Sequence, residues 1–242
     1  MHYFLLVIIG FSFSVSAQWK DISLDEYSKA ILSVETRIPE NTSYAYSANY
    51  AFFNELQSKD TVVTFPFKLI YQHQNDLLYL EQYGRKTIQH DGLQLVCDTT
   101  NKQLIINETN KELGKRKSMD DYQLLLKSKC TARKRKHENQ TIYSLTFAKG
   151  ARYKEAEIWI ENNGMVTKYI LYAGVDVPES QFETNKFIHP RMEITYGKYI
   201  FGKKVDEKKM DTIATYLVDQ INLKATAKYQ SYEIIDLRKQ KK

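Results

Sequence analysis

The sequence predicts an α+β fold: one large antiparallel β-sheet, curled into a half-open barrel, with a few helices packed on its concave face. Three observations carry this expectation. Aromatic and β-branched residues alternate with small or polar ones over several short stretches, the period of half-buried strands. Turn formers such as Asp91-Gly92 and Asn163-Gly164 punctuate those stretches at short intervals, as an antiparallel meander requires. One amphipathic helical segment precedes the strands, and its single apolar stripe must lie on something. A sheet of so many strands has to curl, and a helix or two in the mouth of the curl gives a half-open barrel.

The elements follow in chain order. Phe4–Phe13 is an uncharged apolar run that ends in Ser14-Val15-Ser16-Ala17. It is too short to cross a bilayer, which takes roughly 20 residues, and its small-residue ending is that of an export signal. The expectation is cleavage after Ala17, leaving residues 18–242 as a single domain. No Cys follows the cut, so a lipid-modified N-terminal cysteine is not expected, and an exported, soluble periplasmic protein is. Ser23-Leu24-Asp25-Glu26 reads as a capping box that opens a helix. Leu24, Tyr27, Ile31, Val34 and Ile38 keep helical spacing until Pro39 stops it.

Strands come next. Tyr44, Tyr46, Ala48, Tyr50 and Phe52 share one face of the first. Thr61–Phe65 and Phe67–His73 continue, with Pro66 marking an edge or a bulge. Gln74-Asn75-Asp76 turns the chain into Leu77–Tyr83. Lys86–His90, Leu93–Cys97 and Gln103–Ile106 complete the first half. Ser118-Met119-Asp120-Asp121 starts a short helix carrying Tyr122, Leu125 and Leu126. The basic run Lys127–Lys136 reads as a solvated loop, or as a surface for anionic headgroups or an acidic partner. Thr141–Phe147, Ala156–Ile160, Met165–Tyr172 and Arg191–Phe201 are strands, and Asn162-Asn163-Gly164 is a tight hairpin with positive φ at both central positions. Residues 206–221 fit a helix, through Met210, Ile213, Ala214, Leu217, Val218 and Ile221, but Thr212–Val218 is also β-branched and aromatic, as a strand would be. Tyr229–Leu237 is the last strand.

Composition narrows the function classes. The chain has 18 Tyr and 11 Phe against only 9 Gly and 4 Pro, so long disordered tracts are not expected. The formal charge is +6, but no nucleic-acid signature accompanies it and export argues against that partner. Cys97 and Cys130 are compatible with a disulfide or with two buried thiols on separate elements. The five His are scattered without metal-ligand spacing. There is no Gly-rich phosphate loop, no Ser nucleophile elbow and no Ser-x-x-Lys. Glu155, Glu157 and Glu161 alternate with Trp159 on one strand face. Such a row is the wet side of an antiparallel strand, with Ala156, Ile158 and Ile160 as the dry side. No catalytic residues, metal or cofactor are therefore assigned.

The arrangement resembles the LolA/LolB family of lipoprotein carriers and localisation factors of Gram-negative envelopes. The residues that carry the resemblance are the helix Ser23–Ile38, the Tyr-rich first strand, Phe65-Pro66-Phe67-Lys68-Leu69-Ile70-Tyr71, His90–Asp98 with its Asp-Gly hairpin, and Ile158–Ile170 around an acidic-Gly turn. They are similar to uncharacterised LolA-like proteins exported by Bacteroidota. The resemblance implies a half-barrel with a helical lid, and a lipid acyl chain or lipoprotein as ligand. An envelope membrane protein would be a further partner. The family's carriers hold the lid with an Arg on an early strand, and none stands between Asn41 and Asn54 here. Tyr46, Tyr50, Phe52, Phe67, Leu69, Tyr71 and Tyr79 are the candidates for an apolar cavity with hydroxyls at its rim. The helix Ser23–Ile38 is expected to cover Tyr46, Tyr50 and Phe52. Two other readings stand beside the carrier: an envelope interaction module whose barrel is filled by its own side chains, and an unrecognised hydrolase.

Overall fold

The computed structural model describes residues 18–35, 37, 42–73, 77–109, 130–175, 177–180, 183–202 and 211–238. The elements in chain order are β1 (Lys20–Ile22), α1 (Leu24–Glu35), β2 (Tyr44–Phe53), β3 (Val63–Gln72), β4 (Leu77–Gln82), β5 (Arg85–His90), β6 (Leu93–Asp98) and β7 (Gln103–Glu108). β8 (Cys130–His137), β9 (Gln140–Phe147), β10 (Tyr153–Glu161), β11 (Val166–Ala173), β12 (Val177–Ser180), β13 (Glu183–Ile188), β14 (Arg191–Tyr196) and β15 (Ile200–Phe201) follow. The chain ends with α2 (Ile213–Tyr216), β16 (Leu217–Asp219), β17 (Lys224–Ala225) and β18 (Glu233–Asp236).

Fourteen strands form one sheet in the order β1-β8-β9-β10-β11-β14-β2-β3-β4-β5-β6-β7-β18, with β15 beside β2. Every pair is antiparallel except β18, which runs parallel to β7. β1 and β18 lie at opposite ends of this order, so the described sheet is an open one and not a closed barrel. The expected class stands: a curled sheet with few helices.

Alternation gives the sheet two faces, and each is covered over a different half. On one face α1 lays Tyr27 and Ile31 on Ala132 of β8, Leu145 of β9 and Ile160 of β10. Its first turn is capped by Ser23, whose Oγ accepts from Glu26 N–H at 3.1 Å. The Glu26 carboxylate does not reach back as a full capping box would have it, and binds Lys134 instead. On the other face, residues 213–232 form a cap. Ile213, Tyr216, Leu217 and Tyr229 close over Ile88, Leu95, Leu104 and Ile106, all four of which are 0% exposed. Each such buried aliphatic side chain is worth about 1.5–3 kcal/mol against exposure. The cap is tied down where Asp211 accepts from Tyr216 Oη and from Lys86 Nζ, both at 2.7 Å.

Several expectations change. α1 does not cover Tyr46, Tyr50 and Phe52. β1, which the sequence pattern does not reveal, pairs Ile22 with Ala132 and tethers α1 to the far edge of the sheet. The basic run from Cys130 onward is no loop but β8, because Cys130 and Ala132 face the α1 core while the charges find partners across strands. Within 206–221 the described helix is only α2; its β-branched and aromatic composition prevails from Leu217, where the chain turns extended. Arg191–Phe201 breaks at Gly197 into β14 and β15, and Tyr229–Leu237 shortens to β18. The β10–β11 turn has positive φ at Gly164 (+86°) but not at Asn163, so it is a longer loop with a glycine bulge. Asp91 and Gly92 do take positive φ together, +50° and +77°. The hairpin β12–β13 is an addition. The segment 1–17, the turn 74–76, the end of the first helix at Ile38-Pro39, the helix from Ser118 and Met210 lie outside the described residues.

Neither cysteine forms a disulfide. Cys97 is in the cap core and Cys130 lies beside α1, on opposite faces of opposite halves of the sheet.

Candidate functional site

The candidate site is built on the α1 face, where β14, β2 and β3 are neighbours. Register places Tyr44 opposite Tyr71, Tyr46 opposite Leu69, Ala48 opposite Phe67, and Tyr50 opposite Phe65. On the other side Phe52 meets Met192, Tyr50 meets Ile194 and Ala48 meets Tyr196. Side chains of every second residue therefore converge on one surface. Tyr50 stacks on Phe65 at 4.9 Å between centroids, and Phe52 packs on Phe65 at 5.7 Å. Phe67 is 5.8 Å from both Tyr50 and Tyr46, and Tyr46 is 5.2 Å from Tyr199. Tyr83 stands against Phe65 at one end, and Phe201 stacks beside Tyr199 at the other. The result is a continuous track of rings along β2 and β3. Most of its members are half-buried. Val63 and Tyr83, at 43% and 57%, leave one end open to solvent.

The track is chemically graded. Phe52, Phe65, Val63 and Met192 make one end mainly apolar, with the Tyr83 phenol at its exposed tip, while Tyr44, Tyr46, Tyr196 and Tyr199 cluster phenols at the other. Burial holds Tyr46 and Tyr196 well above the usual phenol range and raises Tyr169 and Tyr199 to about 12. At neutral pH these groups are hydroxyls that can donate, not phenolates. At its side the track adjoins the α1 core, where Ile158 of β10 pairs with Tyr169 of β11.

Six of the seven candidates share this surface: Tyr46, Tyr50, Phe52, Phe67, Leu69 and Tyr71. Tyr79 does not. It pairs with Ile70 and Ile88 and is 2% exposed in the cap core, its hydroxyl donating to Glu81 Oε2 at 2.8 Å. Leu77-Leu78-Tyr79-Leu80 is apolar throughout, so the sequence offered no alternation from which to read its facing. Tyr169, Met192, Ile194, Tyr196 and Tyr199 join the track without having been assigned to it. The signal existed in part, since Met192, Ile194 and Tyr196 alternate, but the β14–β2 pairing spans too much sequence to infer.

A surface cavity of about 580 Å³ lies over the same strands, lined by Ser47, Asn49, Pro66, Lys68, Glu81 and Thr195. Register puts those side chains on the cap face, and of the seven candidates only Phe67 contributes to its wall. The reason is volume. Rings fill the α1 face of β2, whereas Ala45, Ser47, Asn49 and Ala51 leave room on the other.

The carboxylate row on β10 is also on the cap face, and it is drier than a wet strand side. Glu155 Oε1 accepts from Arg133 Nη2 at 2.7 Å and from the Ser144 hydroxyl. Glu157 is 9% exposed and accepts from Trp159 Nε1 at 3.3 Å; burial pushes its carboxyl up. Glu161 accepts from Asn163 Nδ2 at 2.8 Å in the hairpin. Each carboxylate thus has a structural partner. Among the described residues no group of three or more His, Cys, Asp or Glu could hold a metal ion, and no helix is long and apolar enough to cross a membrane.

No protein-family model matches the chain, and no curated protein matches it. Solved structures do. One is an uncharacterized conserved protein from Thermus thermophilus, 9% identical, covering 87% of this chain and 99% of that one at a TM-score of 0.39. A DUF1329 family protein from Desulfovibrio piger is 10% identical over 83% and 98%, at 0.34. A LolA superfamily protein from Nitrosomonas europaea is 10% identical over 76% and 97%, at 0.30.

Proposed function

We propose that this protein is a non-enzymatic, periplasmic binder or carrier of an acyl chain, free or on a lipoprotein, in a bacterial envelope. The observation that carries the reading is the ring track from Tyr83 to Phe201 on one face of an open sheet. A continuous apolar surface of this kind is what a soluble protein keeps for a partner. Its grading would orient the ligand, with the chain on Phe52, Phe65 and Val63 and the polar head among the tyrosine hydroxyls. α1 stands at the side of the track, where a small displacement would widen or narrow access. Export by the segment 1–17 and a membrane-protein partner belong to the same proposal.

The test is saturable uptake of a fluorescent fatty acid by the wild type and by Leu69→Asp, with circular dichroism showing both folded. Uptake by the wild type that is lost in Leu69→Asp supports the reading. No uptake by a folded wild type, together with native mass spectra free of lipid from the protein's own envelope, overturns it. Those results would select the interaction module instead, a reading favoured by the tight stacking of Tyr50 on Phe65 at 4.9 Å.

A further inference from the structure

A second site lies on the cap face at the β1 edge of the sheet, and it does not depend on acyl-chain binding. β1 and β8 run side by side there, with Lys20 opposite Lys134 and Asp21 opposite Arg133. Alternation sends Arg133, Arg135 and His137 to the cap face and Lys134 and Lys136 to the other. Lys134 is taken by Glu26 of α1. Arg133 gives Nη2 to Glu155, and its Nε points at Ser144 Oγ from 3.5 Å. Arg135 is different. Its Nε is shielded from solvent and meets no acceptor, and among the described residues no carboxylate pairs with it. Its guanidinium stands 4.6 Å from the centroid of the Trp19 ring, and that of Arg133 stands 4.4 Å from the same ring.

Two guanidinium groups therefore converge on one indole, and among the described residues only that of Arg133 is hydrogen-bonded to a carboxylate. The indole face offsets part of their repulsion. It does nothing for the N–H, and a shielded donor without an acceptor keeps its full desolvation cost. Native proteins rarely carry that cost without an ion or water to answer it. The guanidinium fork is shaped for an oxyanion with two oxygens side by side. A carboxylate already answers Arg133. A phosphoryl group, with one to two charges and two or three free acceptor oxygens, could answer both arginines. The field of Glu157, whose carboxyl burial pushes up, reaches both Arg135 and Arg133.

We propose that Arg135 and Arg133, on the platform of Trp19, form an anion site that takes a phosphoryl group. The group could be soluble phosphate or the headgroup of an anionic lipid.

The protein carries its own probe. It has two tryptophans: Trp19 is the platform, and Trp159 lies two strands away on the same row as Arg135 through Ile142. Tryptophan emission is read while sodium phosphate is added at constant ionic strength, and again with vesicles of phosphatidylglycerol or of phosphatidylcholine. The expected result is a saturable shift with phosphate or with phosphatidylglycerol, absent with phosphatidylcholine. Saturation by phosphate assigns the soluble ion; saturation by phosphatidylglycerol alone assigns the headgroup. Arg135→Gln should weaken binding about tenfold or more, the loss of one charge-assisted hydrogen bond. Arg135→Lys keeps the charge, loses the fork and should also bind more weakly, which covers the case in which Arg135→Gln fails to fold. The proposal is overturned if neither probe saturates, if sodium acetate or chloride acts as strongly as phosphate, or if Arg135→Lys binds as the wild type does.

Discussion

α1 and the C-terminal cap close opposite faces of the same sheet, each over one half, and they do so by different means. α1 is a regular helix with one stripe. It touches the sheet through Tyr27 and Ile31, which keep 6% and 5% exposure, on a floor whose buried members keep 4–7%. The cap has only one turn of α-helix and one of 3₁₀ helix, yet Tyr216 is fully buried and most of its floor is at 0%. It is pinned by the Lys86–Asp211–Tyr216 network, while at its polar side α1 is joined to the sheet by the Lys134–Glu26 pair. Regularity of the backbone is thus no guide to how tightly a cover is sealed. Pinned, dry contact belongs to the irregular element, and the regular one rests on a smaller apolar floor.

That contrast can be broken by experiment. Tyr216→Ala removes a fully buried ring and the donor to Asp211, and should cost about 3–5 kcal/mol in urea unfolding. A loss no greater than that of an α1 mutant would erase the difference between the covers. Ile31→Asp puts a carboxylate in the α1 core and should cost about 2–3 kcal/mol. If the acyl reading is right, the same variant takes up more of a fluorescent fatty acid while the cap core stays protected from hydrogen exchange. Protection lost equally on both faces would mean that the covers do not move separately.

Gly164→Val tests the hairpin under α1. Its φ of +86° disfavours a β-branched residue, and a Cβ there would stand 2.7 Å from Arg37 Nε. The cost should be about 1 kcal/mol or more on the thermal midpoint. The last effect is confined to acid. Asp98, 1% exposed on the cap's half of the sheet, accepts from Thr100 and Asn101 N–H at 3.0 Å each and from Arg85 Nε at 2.8 Å. These bonds, the Asn101 backbone first, hold its carboxyl down to about 2. A depressed carboxyl contributes stability above its unfolded value of about 3.9, and loses it as pH falls through the folded value. Stability of the wild type should decline between about pH 4 and 2, and Asp98→Asn should flatten that decline.

The sequence made the meander legible because its signals are local. Asp91-Gly92 and the alternation of Tyr44 to Phe52 need no knowledge of partners. What could not be read was set by residues far away in the chain. β1 is three residues long and gains meaning only beside β8. The charges of Arg133 and Lys134 look like a loop until Glu155 and Glu26 are placed across from them. Residues 213–219 satisfy a helical and an extended pattern equally, and contact with β5–β7 decides between them. The same rule governs the candidate site. Six of its residues were visible as alternation on neighbouring strands, while Tyr79 lost its place to an apolar run with no period, and Tyr196 and Tyr199 entered through a distant pairing.

The separated cysteines turn this architecture into a timepiece with two hands. Cys97 is fully buried beneath the cap, and burial raises its thiol to about 11. Cys130 is partly exposed at the α1 edge. A thiol reagent therefore reads the breathing of one cover at Cys130 and the breach of the other at Cys97, in a single unmutated chain. The interval between the two labelling rates measures how independently the halves of the sheet come undone.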